Sequence, residues 1–329
     1  MAKIRYTLTA AVAAAGLLLG ACTSAEDSPS AASSSESLIT VEDNYGTQEI
    51  ALPVERVAAT DNRSFEILAD WGVDLVAAPV QLVPFTVEEY RNDGDIMDIG
   101  NHREPNLEML TAANPDLIVN GQRFRNHYDD IVKLNPGVSI VEFEPREGEQ
   151  LDAELKRHVT ELGKIFEKED EAAELVTDFE EAIERARAAY NPEQTVMAVN
   201  VSGGEIGYIA PVVGRTFGPV FELLGLTPAL DVSDATSNHQ GDDISVEAIA
   251  RSNPDWLFVL DRDGGTTTRD TDDYVPASNV IEGNRALANV AAIREGRVEF
   301  APDDTYTNES IITYTEIFNQ LADAFEASR

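Results

Sequence analysis

Basic residues are few in this chain, and their placement is uneven. The 329 residues include 60 Asp or Glu against 24 Lys or Arg, a net charge of −36. Yet arginines recur just past short apolar runs. Arg63 follows Arg56-Val-Ala-Ala-Thr60, Arg103 ends Asn101-His-Arg103 after Asp98-Ile-Gly, and Arg123 and Arg125 follow Asp116-Leu-Ile-Val. Arg215 closes the stretch that runs from Tyr208 through Gly214, Arg262 follows Trp256-Leu-Phe-Val-Leu-Asp261, and Asp303-Asp-Thr-Tyr306 follows Arg297-Val-Glu-Phe-Ala301. A guanidinium keeps its charge and presents a planar fork of donors. Gathered along one edge, these arginines would make a locally positive cleft in an acidic protein. Other chemistries lack their patterns. Four histidines are thin material for a zinc or manganese cage of converging ligands. A hydrolase acting through Ser202 or Ser245 beside His239 would be a different class, but the chain holds no Gly-x-Ser-x-Gly turn, zinc-protease motif or phosphate-binding glycine loop. The charge opposes nucleic-acid binding. A ligand-free surface interaction protein would leave the arginines unaccounted for.

The elements that must position these residues are legible from periodicity. Leu38-Ile-Thr-Val-Glu and Thr47-Gln-Glu-Ile-Ala-Leu alternate around Asp43-Asn-Tyr-Gly46 and predict a β-hairpin. Apolar strand runs then alternate with helical stretches, the arrangement of a parallel sheet with helices on both faces. In such sheets ligands sit beyond the carboxyl ends of the strands, where the arginines fall. Residues 168–190 carry apolar positions at three- and four-residue steps, from Ala172 through Phe179 and Ile183 to Tyr190, with acids in the first turn and arginines in the last turns. They predict one helix of about 33 Å. Flanking it are two copies of one pattern: Glu108 in a short helix, then Asn114-Pro-Asp116 and Leu117-Ile-Val, and Glu247, then Asn253-Pro-Asp255 and Trp256-Leu-Phe-Val-Leu. The matched spacing predicts an α/β fold of two Rossmann-like lobes, residues 38–167 and 191–329, with central parallel-rich sheets joined by one long rigid α-helix.

Residues 1–21 have a basic start, an apolar run from Leu8 to Leu19 and small residues to Ala21, the form of a secretory signal peptide. Leu19-Gly-Ala-Cys22 resembles a bacterial lipobox, and Cys22 is the single cysteine. The expectation is lipidation at Cys22, with the Ser- and Ala-rich stretch to residue 37 as a flexible tether and an extracytoplasmic, membrane-anchored, monomeric product.

The tethered two-lobed layout with a long helix resembles the substrate-binding lipoproteins of bacterial ABC importers, in the class with a rigid helical backbone that carries ferric siderophores, haem or cobalamin. The catecholate siderophore binders of the petrobactin and enterobactin type match best, through Asp116-Leu-Ile-Val-Asn-Gly-Gln-Arg123, Gly214-Arg-Thr-Phe-Gly218, His239-Gln-Gly-Asp-Asp-Ile-Ser and Asn253-Pro-Asp-Trp-Leu-Phe-Val-Leu-Asp-Arg262. The resemblance implies a binding protein rather than an enzyme, with an Fe(III)-siderophore complex as ligand and no intrinsic cofactor. It implies an arginine triad at Arg123, Arg215 and Arg262. The family has Gly-Arg-Gln where this chain has Gly121-Gln122-Arg123, so Arg63, Arg103 and Arg125 stand beside Arg123 as N-lobe candidates, and Tyr208 is a further cleft candidate. His239 and Tyr306 align with residues that complete iron coordination when a siderophore supplies four donors. Glu108 and Glu247 occupy the positions that dock each lobe onto the permease. Haem is the rival ligand, with His102, His239 or Tyr306 as axial donors, and it predicts few arginines and an apolar cleft. Trp256 is expected near the cleft, and the rigid helix implies modest lobe movement.

Overall fold

The computed structural model describes residues 37–232 and 236–329; the predicted signal segment, Cys22 and nearly all of the tether lie outside them. The hairpin forms as β1 (Ser37–Asp43) and β2 (Gly46–Leu52), paired antiparallel. The chain then builds β3 (Val57–Ala59), α1 (Phe65–Asp70), β4 (Leu75–Ala78), α2 (Glu88–Arg91), β5 (Met97–Asp98), α3 (Leu107–Ala112), β6 (Leu117–Asn120), α4 (Tyr128–Leu134) and β7 (Ser139–Glu142). The strands form a parallel sheet in the order β5-β4-β3-β6-β7. Two helices follow, α5 (Leu151–Phe166) and α6 (Glu169–Ala189).

The second sheet is assembled from β8 (Thr195–Ser202), β9 (Glu205–Ile209), β10 (Asp242–Asp243), β11 (Trp256–Asp261) and β12 (Val298–Phe300), in the order β10-β9-β8-β11-β12. Between these strands lie α7 (Gly218–Leu224) and α8 (Val246–Ser252), and α9 (Ile311–Ala327) closes the chain. The β8, β11 and β12 strands are parallel, whereas β9 runs antiparallel to β8.

Strand alternation sorts the core. Val57, Val119, Val196, Ala198 and Phe258 face one continuous apolar cluster that also takes in α5, α6 and α9 and so runs through both lobes. Ala58 and Ile118 face a second cluster with α3 and α4, and Val199 and Val259 face a third with α8. Along α6, Ala172, Phe179, Ala182, Ile183 and Ala186 are buried, and Phe179 packs on Phe318 of α9 with ring centroids 5.8 Å apart. A large apolar interface of this kind resists relative lobe motion.

The repeated pattern has one structural cause in both lobes. Asn106 caps α3 and Ser245 caps α8 through side-chain oxygens. Asn114 and Asn253 both sit in the left-handed region, each at φ +49°, a conformation asparagine tolerates well. The carboxylate of Asp116 then accepts from the backbone N–H groups of Glu55 and Arg56, and that of Asp255 from the N–H of Thr195. Each Asn-Pro-Asp thus ends a helix and pins the start of the neighbouring strand.

Candidate functional site

At the carboxyl edges of the two sheets, three guanidinium groups surround one aromatic ring. The Arg215, Arg262 and Arg123 guanidinium carbons lie 4.3, 5.0 and 5.5 Å from the centroid of Tyr306, within the range of cation–π attraction. Tyr306 sits in the short helical turn Thr305–Asn308 after β12 and is 6% exposed. Arg123 reaches it because the chain turns off β6 sharply: Gln122 adopts φ +41° and starts a 3-10 turn. This settles the direction of the Gly-Gln-Arg segment. Arg123 points toward Tyr306, while Arg125 is exposed.

The three arginines do not have equal freedom. Arg215 is engaged by Glu309, with Nη2 to Oε2 at 2.7 Å and Nε to Oε1 at 3.1 Å. Glu309 is 3% exposed. Burial alone would raise its carboxyl, but the charge and hydrogen bonds of Arg215, with Arg63 and Thr216, overcome that and hold it at about 2. The loop presenting Arg215 is strained, since the β-branched residues Val212 and Thr216 adopt φ +69° and +62°. Thr216 Oγ1 donates to Glu309 at 2.6 Å and its carbonyl accepts from Tyr314. Gly214 permits the turn, because a Cβ there would lie 2.6 Å from backbone atoms of Ala210.

Two cavities meet at this arginine cluster. One, about 610 Å³, is lined by Arg63, Arg123, Arg125 and Arg215 together with Glu144, Glu147 and Glu309. Its charges are largely matched internally: Arg63 pairs with Glu144 at 2.9 Å and lies 3.8 Å from Glu309. The other, about 490 Å³, is lined by Arg91, Arg103, Arg123, Arg262 and Arg269, by His102, His239 and Tyr306, and by no carboxylate among the described residues. Of these five arginines only Arg262 has an ion-pair partner among the described residues, Asp263 at 2.8 Å, and its Nε is buried without a partner. In a chain of net charge −36, this second cavity concentrates unneutralised positive charge at low-dielectric walls, which focuses the field on an anion. The surroundings disfavour charge on the histidines there. Burial, then Arg262, Arg215 and Arg103, push the His239 imidazole below its ordinary value, and burial with Arg123 and Arg103 does the same for His102. A neutral imidazole can donate a lone pair to a metal.

The predicted site residues therefore separate. Arg103, Arg123, Arg262, His239 and Tyr306 share the carboxylate-free cavity, and Arg63, Arg125 and Arg215 line the balanced one. Two expectations are corrected. Tyr208, expected at the cleft, is 2% exposed, because Glu205–Ile209 forms strand β9; its ring packs in the third core cluster and its hydroxyl donates to the Leu230 carbonyl. Trp256 opens β11 at the edge opposite the cavity, packed against Phe325 at 4.8 Å. Six residues of strand at about 3.3 Å each put it roughly 20 Å from Arg262. Glu108 and Glu247 are exposed, each in the first turn of its short helix.

Other sites prove structural. Ser202 is tied to Arg262 and Asp263, and Ser245 caps α8. Ser64, His158 and Asp61 do meet, with Ser64 Oγ 2.9 Å from His158 Nε2 and 2.6 Å from Asp61. All three are sealed in the core, and serine and aspartate face the same imidazole nitrogen, at 2.9 and 3.3 Å, where a catalytic relay needs them on opposite ones. Among the described residues no three His, Cys, Asp or Glu side chains converge as a metal cage, and no helix is long and apolar enough to cross a membrane.

The chain belongs to the periplasmic binding protein family, whose model matches residues 57–305. It is 29% identical over 295 residues to the ferric-anguibactin-binding protein FatB of Vibrio anguillarum, covering 89% of each chain. It is 26% identical over 322 residues to the petrobactin-binding protein YclQ of Bacillus subtilis, covering 94% of this chain and 95% of that one. Among solved structures, the siderophore binding protein BauB, bound to a complex between two molecules of acinetobactin and ferric iron, aligns with a TM-score of 0.75 at 27% identity, over 88% of this chain and 99% of that chain.

Proposed function

We propose that this protein binds a ferric siderophore of catecholate type outside the cytoplasm and delivers it to an ABC permease, acting by binding and not by catalysis. The observation that carries this reading is the carboxylate-free cavity with five arginines in a strongly acidic chain. Iron(III) held by three catecholates is a trianion whose outer oxygens accept hydrogen bonds, and fixed guanidinium groups meet both demands. The relatives FatB, YclQ and BauB, named for siderophores, support the same class of ligand. Arg123, Arg262 and Arg103 would contact the complex directly, while Arg215 would act from behind the Tyr306 ring. His239 and Tyr306 would donate to iron when a siderophore leaves two coordination positions open. Glu108 and Glu247, one per lobe, would dock on basic residues of the permease. A lipid on Cys22 and the tether would hold the monomeric two-lobed body at the membrane.

The test is an equilibrium titration of the protein without residues 1–22, using a ferric tris-catecholate, a neutral ferric hydroxamate and haem in parallel. Trp256 lies too far from the cavity to report reliably, so the visible absorption of each ligand is followed instead. The anionic catecholate complex is expected to bind at least about a hundred-fold more tightly than the neutral hydroxamate complex, the equivalent of two lost charge-assisted contacts. Equal affinity for both, or tight binding of haem alone, would overturn the assignment.

A further inference from the structure

The carboxylate-free cavity holds a second pair of arginines that lies away from the strand ends. Arg91 sits at the end of α2 and Arg269 in the 3-10 turn Thr267–Asp270, one from each lobe. Each is held in place by the protein but not neutralised. Arg91 Nη1 donates to the Val83 carbonyl at 2.9 Å, and Arg269 Nη1 to the Gly264 carbonyl at 3.3 Å. The Arg269 guanidinium also stacks on the Phe85 ring, 3.3 Å from its centroid. Neither has an ion-pair partner among the described residues, although both line the cavity.

The loop that carries Arg269 is built to stay put. Gly265 passes so close to Tyr306 that a Cβ would lie 3.0 Å from the tyrosine Cβ. Thr307 Oγ1 donates to the Gly265 carbonyl at 2.9 Å, and Asp261 receives the Gly264 N–H and the Tyr274 hydroxyl, each at 2.8 Å. Thr266, Thr267 and Thr268 therefore line the cavity beside Arg269 in a fixed arrangement. A guanidinium stacked on an aromatic face keeps its edge free for bidentate recognition of a carboxylate.

Three guanidinium groups suffice for a trianion, and the cavity has five. We infer that Arg91 and Arg269, with the Thr267 and Thr268 hydroxyls, form a separate carboxylate subsite that selects siderophores carrying a free carboxylate on the backbone joining their iron-binding arms. This rests on the proposed siderophore function and adds a specificity to it.

A matched pair of probes tests it: the ferric complex of bis(dihydroxybenzoyl)lysine, which has one free carboxylate, and that of its methyl amide, which has none. The unmodified protein is expected to prefer the carboxylate by about ten-fold or more, the worth of one charge-assisted contact. In Arg91→Gln combined with Arg269→Gln the ratio should fall to within about two-fold. Equal binding of the two complexes by the unmodified protein, a measurement that requires no variant to fold, would overturn the subsite alone. A preference that survives in the double variant would overturn it equally. Binding of neither complex would overturn the siderophore reading beneath it.

Discussion

Replacing Arg123 and Arg262 together by glutamine is expected to weaken the binding of a ferric tris-catecholate by about a thousand-fold. Each contributes charge-assisted hydrogen bonds worth about 1.5–3 kcal/mol, and about 1.4 kcal/mol is one factor of ten in affinity. The effect should be large because neither side chain is held as Arg215 is. Arg123 has no carboxylate within ion-pairing distance among the described residues, and Arg262 has only its sequence neighbour Asp263. Arg125→Gln provides the comparison. That side chain is exposed and lines the balanced cavity, so its replacement should change affinity by less than about two-fold. Equal losses in the two experiments would assign the ligand to the wrong cavity.

The second large effect concerns stability. Glu309→Ala removes the single buried carboxylate that Arg215 and Thr216 grip and that Arg63 approaches. Breaking one side of a buried ion pair typically costs about 3–5 kcal/mol, because the surviving charge is left without compensation. Urea unfolding near neutral pH should show a loss of that order. The pH dependence has a definite sign. The Glu309 carboxyl is ordinarily near 4.5 and is held at about 2 in the folded protein, so the unfolded chain binds the proton more readily. Its stabilisation is complete above the ordinary value and is lost as pH falls through the depressed one. A shift of this size corresponds to about 3 kcal/mol. Glu309→Gln should remove this component, giving a shallower fall in stability over that acid range than the unmodified protein shows. An unchanged slope would mean that Glu309 is not the carboxylate responsible.

The fold was largely legible in the sequence, because periodicity and strand-to-helix alternation are local properties. The hairpin, the strands Val57–Ala59 and Trp256–Asp261, and the 21-residue helix all follow from runs of a few residues. Strand β9 was missed because Glu205-Ile-Gly-Tyr-Ile follows a Gly-Gly turn and reads as loop; its antiparallel pairing to β8 buries Tyr208. Trp256 was misjudged for a geometric reason. A strand's two ends face opposite edges of the sheet, and only the carboxyl edge holds the site.

Within the site, the arginines after β3, β6 and β11 could be found because open parallel sheets place ligands there. Their pairing could not. Glu309 closes on Arg215 across 94 positions of sequence and Glu144 on Arg63 across 81, and nothing local marks either glutamate among so many acidic residues. Arg91 and Arg269 escaped notice because they belong to short helical turns that only the tertiary fold brings to the cavity. The Asn-Pro-Asp repeat had a structural cause that its residue types did hint at: an asparagine able to turn left-handed and an aspartate able to accept from a neighbouring strand.

The location of the iron tests the central claim most directly. Crystals of the protein grown with a ferric catecholate, measured at a wavelength where iron scatters anomalously, should show one iron position in the cavity bounded by Arg103, Arg123, Arg262 and Tyr306. His239 should be the nearest imidazole where the siderophore supplies four donors. An iron position in the cavity lined by Arg63, Arg125 and Glu144 would contradict the claim, as would saturating ligand with no iron between the lobes.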